Sequence, residues 1–305
     1  MAGSTHGHAW GASMSTFFAE FFELDPQALE DYGAFNISLV NDLPLFIDPF
    51  LLFHSSKSEY RNIHDEILRY LLFLRDRSTE GLVSDDLLRA WYCFPEVKQN
   101  WFGFSLVGNG GSGLGIDFAR ILHANLNRLF RDVDGQSITH GRHLEKVALI
   151  TDGVGKDNIS DFTTNLIKAF LYGYTESFAL ARISPARRKR VAISRVRFNY
   201  ETEAWDHAVF ELPWADGDHV LLTPKDMLTR DENWINRSDL VRGFEEIPAS
   251  IGDAELRAQI SNYFYSALSR PRGRPISHKE RDDAARATIS HFPAVLDYYI
   301  RFKEE

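Results

Sequence analysis

The stretch RVAISRVRFNYETEAWDHAVFELPWADGDHVLLT, residues 190–223, decides the fold class of this chain. Its apolar residues come in short runs rich in valine, isoleucine and phenylalanine, and acidic, glycine or proline residues separate these runs. β-Branched and aromatic residues in short runs bounded by turn-forming residues indicate β-strands. We therefore predict an antiparallel meander over this stretch.

Helices are predicted on both sides of the meander. Before it, Phe162, Leu166 and Phe170 repeat at a spacing of four, within a pattern that predicts one amphipathic helix over about residues 158–181. Similar spacing predicts a helix over residues 59–77, and the chain after the meander is mostly helical in pattern. Strands and helices segregated in this way predict an α+β fold, with a mixed or antiparallel sheet, several flanking helices and a helical C-terminal region.

Composition divides the chain into three parts. Residues 1–13, MAGSTHGHAWGAS, are rich in small residues and lack the apolar run of a signal peptide, so we expect a flexible leader or tag there. Arginine alternates with proline and glycine in SRPRGRP, residues 269–275, which predicts a loop. We expect an α+β core domain over residues 14–268 and a C-terminal helical segment over residues 269–305.

Charge and cysteine content limit the partners and the compartment. The 305 residues include 43 Asp plus Glu against 34 Lys plus Arg, a formal net charge of −9, so binding to nucleic acid requires a local basic surface. The one cysteine, Cys93, fits a reducing compartment, and we expect the cytoplasm. The longest apolar run, residues 43–53, is interrupted by Asp48 and Pro49 and is shorter than the roughly 20 residues of a membrane helix. We expect no membrane association.

A local basic surface is predicted beside the meander. Residues 182–197 contain many cations and no acidic residue, and Phe198 and Tyr200 follow directly. Because arginine binds phosphates and aromatic rings stack on bases, DNA or RNA is a candidate partner. A solvated strand face is the alternative explanation. The candidate phosphate-binding residues are Arg187, Arg188, Lys189, Arg190, Arg195 and Arg197.

A polar stripe is predicted on the helix that begins near residue 158. Asp157, Asp161, Asn165 and Lys168 are spaced four, four and three apart, which places them on one helix face. Two carboxylates and an amide on one face suit Mg²⁺, which prefers oxygen ligands and retains waters and substrate phosphates. Asp157 and Asp161 are therefore the candidate metal ligands. The same residues also suit a helix cap followed by a solvated face.

A second candidate catalytic group is the tripeptide Glu96-Val97-Lys98. Metal-dependent nucleases of the restriction-endonuclease type pair such a tripeptide with an upstream aspartate, because two carboxylates bind Mg²⁺ and the lysine orients the attacking water. Asp48, at the end of a predicted strand, is the candidate partner. Chance yields about one such tripeptide in a chain of this composition, so the tripeptide alone does not identify a nuclease.

A glycine-rich segment, GNGGSGLG at residues 108–115, precedes a predicted helix. Glycines allow backbone amides to approach a phosphate at a helix N-terminus, which makes Gly110, Gly111, Ser112 and Gly113 candidate phosphate-binding residues. The segment lacks the Lys-Ser/Thr pair of a Walker A loop. A glycine turn that lets the helix pack closely is the alternative.

Three segments of the chain have the character of motifs. They are FIDPFLLF at residues 46–53, GVGKDNISDFTTNLI at residues 153–167 and LLTPKDMLTRDENWIN at residues 221–236. Together they resemble a family of bacterial proteins of uncertain function that is associated with genome defence or mobile elements. The resemblance covers roughly residues 15–268 and implies nucleic-acid or phage-related work, without assigning a catalytic residue.

These patterns favour a Mg²⁺-dependent phosphodiester hydrolase, nuclease-like, that acts as an effector on nucleic acid in a bacterial defence or mobile-element context. The four candidate carboxylates would bind the metal, and either candidate lysine would position water or phosphate. The alternative from another class is a non-enzymatic sensor or adaptor that binds a nucleotide or a partner through Gly108–Gly115. A structural subunit that requires a protein partner or a second copy is the third possibility.

Overall fold

The computed structural model describes residues 17–81, 83–103, 113–129, 143–150, 154–230, 234–268 and 273–304. It confirms the predicted α+β fold, because small antiparallel sheets are surrounded by many helices. The α-helices are α1 (Phe18–Phe21), α2 (Pro26–Tyr32), α3 (Pro49–Phe53), α4 (Ser58–Thr79), α5 (Asp85–Trp91), α6 (Ile116–Leu129), α7 (Lys146–Ile150), α8 (Lys156–Leu166), α9 (Lys168–Arg182), α10 (Arg237–Arg242), α11 (Ala254–Ala267), α12 (His278–His291) and α13 (Val295–Glu304). The strands are β1 (Phe46–Ile47), β2 (Arg188–Asn199), β3 (Ala204–Ala215), β4 (Asp218–His219) and β5 (Leu228–Thr229).

The predicted meander is present as a three-stranded antiparallel sheet. β2 and β3 form a long hairpin, and the short β4 pairs with the end of β3. The β2–β3 register shifts between Ile193 and Arg197, and Arg195 in this bulge has a positive φ of 56°. The two apolar runs on either side of Arg195 therefore belong to one bent strand.

α4 lies at the centre of the larger apolar core. This helix matches the one predicted over residues 59–77, and its Ile67, Leu71 and Leu74 are at most 1% exposed. α6 and α8 pack against α4, and the inner side chains of β2 complete the same core. This core fixes where the polar side of α8 can lie.

The single helix predicted over residues 158–181 is in fact two helices, α8 and α9, which meet at Ile167. Ile167 has φ −97° and ψ 16°, outside the α-helical region, and its side chain is 2% exposed. The apolar spacing continues through this junction, so the pattern alone could not reveal it. Lys168 consequently begins a new helix and does not extend the polar stripe of α8.

The predicted helical C-terminal region is confirmed. α10, α11, α12 and α13 share a second apolar core, which also includes Phe50 of α3 and Leu149 of α7. α12 begins with a capping box in which Ser277 and Glu280 exchange hydrogen bonds with each other's backbone N–H groups. Across the described ranges, no helix combines the length and the apolar character needed to cross a membrane.

Candidate functional site

Three of the predicted carboxylates converge beside α8. Asp157 and Asp161 lie one turn apart on this helix, and Glu96 comes from an irregular segment that precedes a 3₁₀ turn. Burial, together with the negative charges of Asp157 and Glu96, raises the pKa of Asp161 to about 8. Asp157 is more exposed, and partial burial raises its pKa against the opposing charge of Lys156. The structure thus joins the two acidic groups that the sequence offered separately.

Asn165 ties α8 to the segment that carries Glu96. The side chain is 2% exposed, and its Nδ2 donates to the carbonyl oxygens of Pro95 at 3.0 Å and Asp161 at 2.8 Å. Its Oδ1 has no hydrogen-bond partner among the residues that the structure describes. A buried amide oxygen in this position is a further oxygen ligand that the site could offer to a hard cation.

Two glycines lie beside the residues that carry these carboxylates: Gly103, upstream of the glycine-rich segment, and Gly113, within it. Gly103 has φ 133°, and a Cβ atom at this residue would lie 3.7 Å from Oδ1 of Asp157. Gly113 has φ 66° and packs so tightly that a Cβ would lie 2.4 Å from the backbone nitrogen of Glu96. Close packing is therefore what Gly113 provides. The other predicted phosphate-binding residues of this segment lie outside the described residues: Gly110, Gly111 and Ser112.

The two candidate lysines have different surroundings. Lys98 is exposed and begins a 3₁₀ turn, whereas the lysine of a nuclease tripeptide usually lies in a strand. The charges that raise the pKa of Asp161 are those of Asp157 and Glu96, and Lys98 does not contribute to this shift. Lys168 is 5% exposed, and burial, together with the positive charge of Arg195, lowers its pKa to about 8. Lys168 therefore belongs to the surroundings of Arg195, on the far side of the α8–α9 junction.

Asp48 lies in a second group that is fully buried. Its carboxylate caps α3 and accepts the backbone N–H of Trp234 at 2.8 Å. Glu145, which is 0% exposed, lies beside Asp48, and burial raises the pKa of both carboxyl groups. Nε2 of the adjacent His143 lies 2.9 Å from Oε1 of Glu304. The negative charge of Asp48 does not contribute to the raised pKa of Asp161, so we treat the group around Asp48 and the carboxylates beside α8 as separate.

Three of the six candidate residues of the basic stretch form contacts with other parts of the protein. Arg187 forms an ion pair with Glu23 at 2.6 Å, and Arg188 forms one with Glu211 at 3.0 Å. Arg195 donates to a backbone carbonyl of α5 and lies over two aromatic rings. These three arginines therefore bind other parts of the protein at or beside β2, which neither explanation of the stretch predicted.

The other half of the basic stretch is exposed. Lys189, Arg190 and Arg197 all have exposed side chains on β2. Nζ of Lys189 lies 3.8 Å from the ring centroid of Trp214. These residues remain candidates for contact with phosphates.

The carboxylate cluster is not a preformed metal cage. Within the described part of the chain, no three His, Cys, Asp or Glu side chains form a group that could hold a metal ion by themselves. Mg²⁺ is commonly bound through one or two carboxylates, with waters and substrate phosphates as the other ligands. The cluster therefore fits Mg²⁺ only in a complex to which the substrate also contributes.

Two groups of residues were not found from the sequence. One is the set of partners of Asp48, namely Glu145, His143 and Glu304, which come from distant parts of the chain. The other is a small aromatic cavity beside β2, lined by Arg69, Tyr200 and Trp205 among others. The signal for the first group was a His-x-Glu in an apolar segment. Part of the second group was signalled by Arg197, Phe198 and Tyr200 in the basic stretch, whereas Arg69 and Trp205 were not singled out.

The chain belongs to the family described as a domain of unknown function (DUF8370), whose model matches residues 23–236. The matched span contains Glu96, Asp157 and Asp161. No curated protein and no solved structure matches the chain. The predicted resemblance to an uncharacterised family is confirmed, and the association with genome defence stays a prediction.

The packing of Gly113 leads to a test of the glycine segment. We expect Gly113→Ala to lower the free energy of unfolding by about 1–3 kcal/mol or more, because the new Cβ clashes with backbone and the φ is left-handed. Gly252→Ala is the matched control, since this glycine is exposed, its φ is not left-handed and a Cβ there meets nothing within 4 Å, so the change should stay within about 0.5 kcal/mol. Urea denaturation measures both, and equal stabilities would refute the close packing.

The raised pKa of Asp161 leads to a pH-dependent prediction. Between the ordinary value of 3.8 and the folded value of about 8, the native state binds a proton that the unfolded chain has lost. Wild-type stability in EDTA therefore falls as pH rises through this range, and Asp161→Asn should be the more stable protein by a few kcal/mol at pH 8. At a pH below 3.8 the two should be nearly equal.

Denaturation with urea from pH 4 to pH 8 measures this difference. Asp65→Asn, at an exposed position of α4, is the control and should follow the wild type throughout. A constant difference between Asp161→Asn and the wild type across this range would show that Asp161 is not held protonated in the native state.

Proposed function

We propose that this protein is a Mg²⁺-dependent phosphodiester hydrolase that acts on nucleic acid. The observation that carries the proposal is the approach of Glu96, Asp157 and Asp161 from two separate segments, where burial, and after it the negative charges of Asp157 and Glu96, raise the pKa of Asp161 to about 8. Carboxylates held together in this way cost stability unless a cation joins them. Strongly perturbed carboxylates of this kind are typical of functional sites.

The charges on this cluster are unevenly distributed. The negative charges of Asp157 and Glu96 act on Asp161, and the positive charge of Lys156 acts on Asp157. A divalent cation would displace the proton from Asp161 and neutralise the repulsion. The uncharged oxygen of Asn165 could serve as an additional ligand without adding to that repulsion.

The chemistry follows from these ligands. When bound, Mg²⁺ would lower the pKa of a coordinated water and stabilise charge on the phosphate. Hydrolysis joins the oxygen of water to phosphorus, breaks the bond from phosphorus to the neighbouring sugar oxygen and transfers a proton to that oxygen. Asp161 and Glu96 would orient the metal and the water. The buried ammonium group of Lys168, together with Arg195, would attract the phosphate backbone from the adjacent side.

The setting of this activity is also part of the proposal. The single cysteine fits a reducing cytoplasm, and the motif resemblance supports a role in bacterial genome defence or mobile elements. The exposed Lys189 and Arg190 on β2 offer further phosphate contacts despite the net charge of −9.

Cleavage assays test the proposal directly. Labelled single- and double-stranded DNA and RNA are incubated with the protein in Mg²⁺, Mn²⁺ or EDTA. We expect metal-dependent cleavage of at least one substrate, and a loss of about 100-fold or more in rate for Asp161→Asn and for Glu96→Gln, because each removes a ligand of the metal.

Two controls make this assay decisive. Asp65→Asn should cleave at the wild-type rate, and the predicted higher stability of Asp161→Asn at pH 8 would show that its inactivity is not due to unfolding. Full activity of Asp161→Asn would overturn the proposal. Tight nucleotide binding without metal-dependent cleavage of any substrate would also overturn it, in favour of the sensor or adaptor.

A further inference from the structure

A cavity of about 110 Å³ lies beside the proposed site, between α4, β2 and the end of α8. Its floor is formed by buried Tyr70 and Phe198, and its walls include Tyr200 and Trp205. The volume is several times that needed by one water molecule. Four aromatic side chains around one small cavity give it extensive ring surface.

The polar groups of two of these rings are already satisfied elsewhere. The hydroxyl of Tyr70 donates to the carbonyl oxygen of Trp91 at 2.6 Å, and Nε1 of Trp205 donates to that of Ala90 at 3.1 Å. The interior therefore offers ring faces and edges, with few hydrogen-bonding groups. Such a lining favours a flat aromatic group over a sugar or an ion.

The rim of the cavity carries the charge. Arg69 and Arg197 are exposed at its edge, and the guanidinium of Arg69 lies 4.0 Å from the ring centroid of Tyr200. No ion pair joins either arginine to another described residue, and Glu66 is the one acidic residue in the lining. Two arginine forks above an aromatic floor suit a planar base that is attached to a phosphate.

The cavity lies on another side of α8 from the carboxylate cluster. Leu166, which lines the cavity, comes five residues after Asp161, about 7.5 Å along the helix axis and about 140° around it. Arg195 connects the two places, because its guanidinium lies 5.2 Å from the Trp205 ring and 5.3 Å from the ring of Phe94, two residues before Glu96. One nucleic-acid strand that occupies both places would have to pass around the C-terminal end of α8.

We infer that this cavity is a subsite for one unpaired nucleotide, with its base among the aromatic rings and its phosphate on Arg69 and Arg197. The inference rests on the proposed function and defines its substrate as single-stranded nucleic acid. Bases in a duplex are paired and stacked, so an enclosed ring cavity selects a strand whose bases are free. The same chemistry is present in a free nucleoside monophosphate, which the experiment separates.

Binding is measured in EDTA, by fluorescence anisotropy, with labelled oligonucleotides of about 12 nucleotides, a length within the usual range of single-strand sites. At one fixed salt concentration, we expect single-stranded DNA or RNA to bind at least about tenfold more tightly than the duplex. A strand of the same length made of abasic sites should bind about tenfold more weakly than the normal strand, because it keeps the phosphates and loses the stacking bases.

Variants on one helix provide the matched comparison. Arg69→Glu should weaken single-strand binding by about tenfold or more, through loss of a charge-assisted contact to phosphate. Arg61→Glu reverses the same charge at another exposed position of α4, outside the cavity lining, and should change affinity by less than about threefold. Arg197→Glu should resemble Arg69→Glu.

The outcomes distinguish this inference from the proposed function. Equal losses in Arg69→Glu and Arg61→Glu, or equal affinity for normal and abasic strands, would overturn the subsite even if the protein cleaves nucleic acid. Arg69-dependent binding that survives in Asp161→Asn, without cleavage by the wild type, would support the subsite and overturn the hydrolase. Displacement of the labelled strand by nucleoside monophosphates at micromolar concentration would support the subsite and identify free nucleotide as its source.

Discussion

The structure depends on the burial of α8 between β1, α4, β2 and α9. Ile159 and Phe162 are at most 1% exposed, and Oγ of Ser160 accepts the backbone N–H of Ile47 at 2.9 Å. A helix that is packed on several sides must carry its remaining polar residues partly into the interior. The raised pKa of Asp161 is a direct consequence of this packing.

The surrounding residues hold the cluster in a destabilised arrangement. Asn165 fixes α8 to Pro95, and Gly113 presses against the backbone of Glu96. The apolar core around Phe162 offsets the cost of bringing the carboxylates together. Unfavourable interactions at one site, offset by favourable packing elsewhere, are expected when a site is selected for its chemistry.

Local periodicity was sufficient to predict most elements, because the apolar residues on the buried face of a helix or strand recur in the sequence at the period of that element. α4, α6 and the β2–β3 hairpin are examples. The break at Ile167 was missed because the apolar spacing is unchanged across it. Long-range pairings were also missed: the sequence gives no distance between Glu96 and Asp161, or between Asp48 and Glu145, since these depend on how α8 and α7 pack.

Part of the candidate site could be predicted from the sequence. The spacing of Asp157, Asp161 and Asn165 on one helix face was correctly derived from the helical repeat. That Glu96 completes this group, while Asp48 joins another, required the tertiary structure. Of the aromatic cavity, the sequence indicated Arg197, Phe198 and Tyr200 but not Arg69, because Arg69 and Tyr200 are 131 positions apart and meet only through the packing of β2 on α4.

The most direct test of the central claim is anomalous diffraction from crystals of the protein grown with Mn²⁺ and a short nucleic-acid strand. The account predicts an anomalous peak beside the carboxylate of Asp161, with one further carboxylate from Asp157 or Glu96 and a phosphate of the strand as the other ligands, and its absence in crystals of Asp161→Asn. A fully ordered cluster without a peak, or Mn²⁺ bound only elsewhere, would contradict the account and leave the three carboxylates as a feature of packing alone.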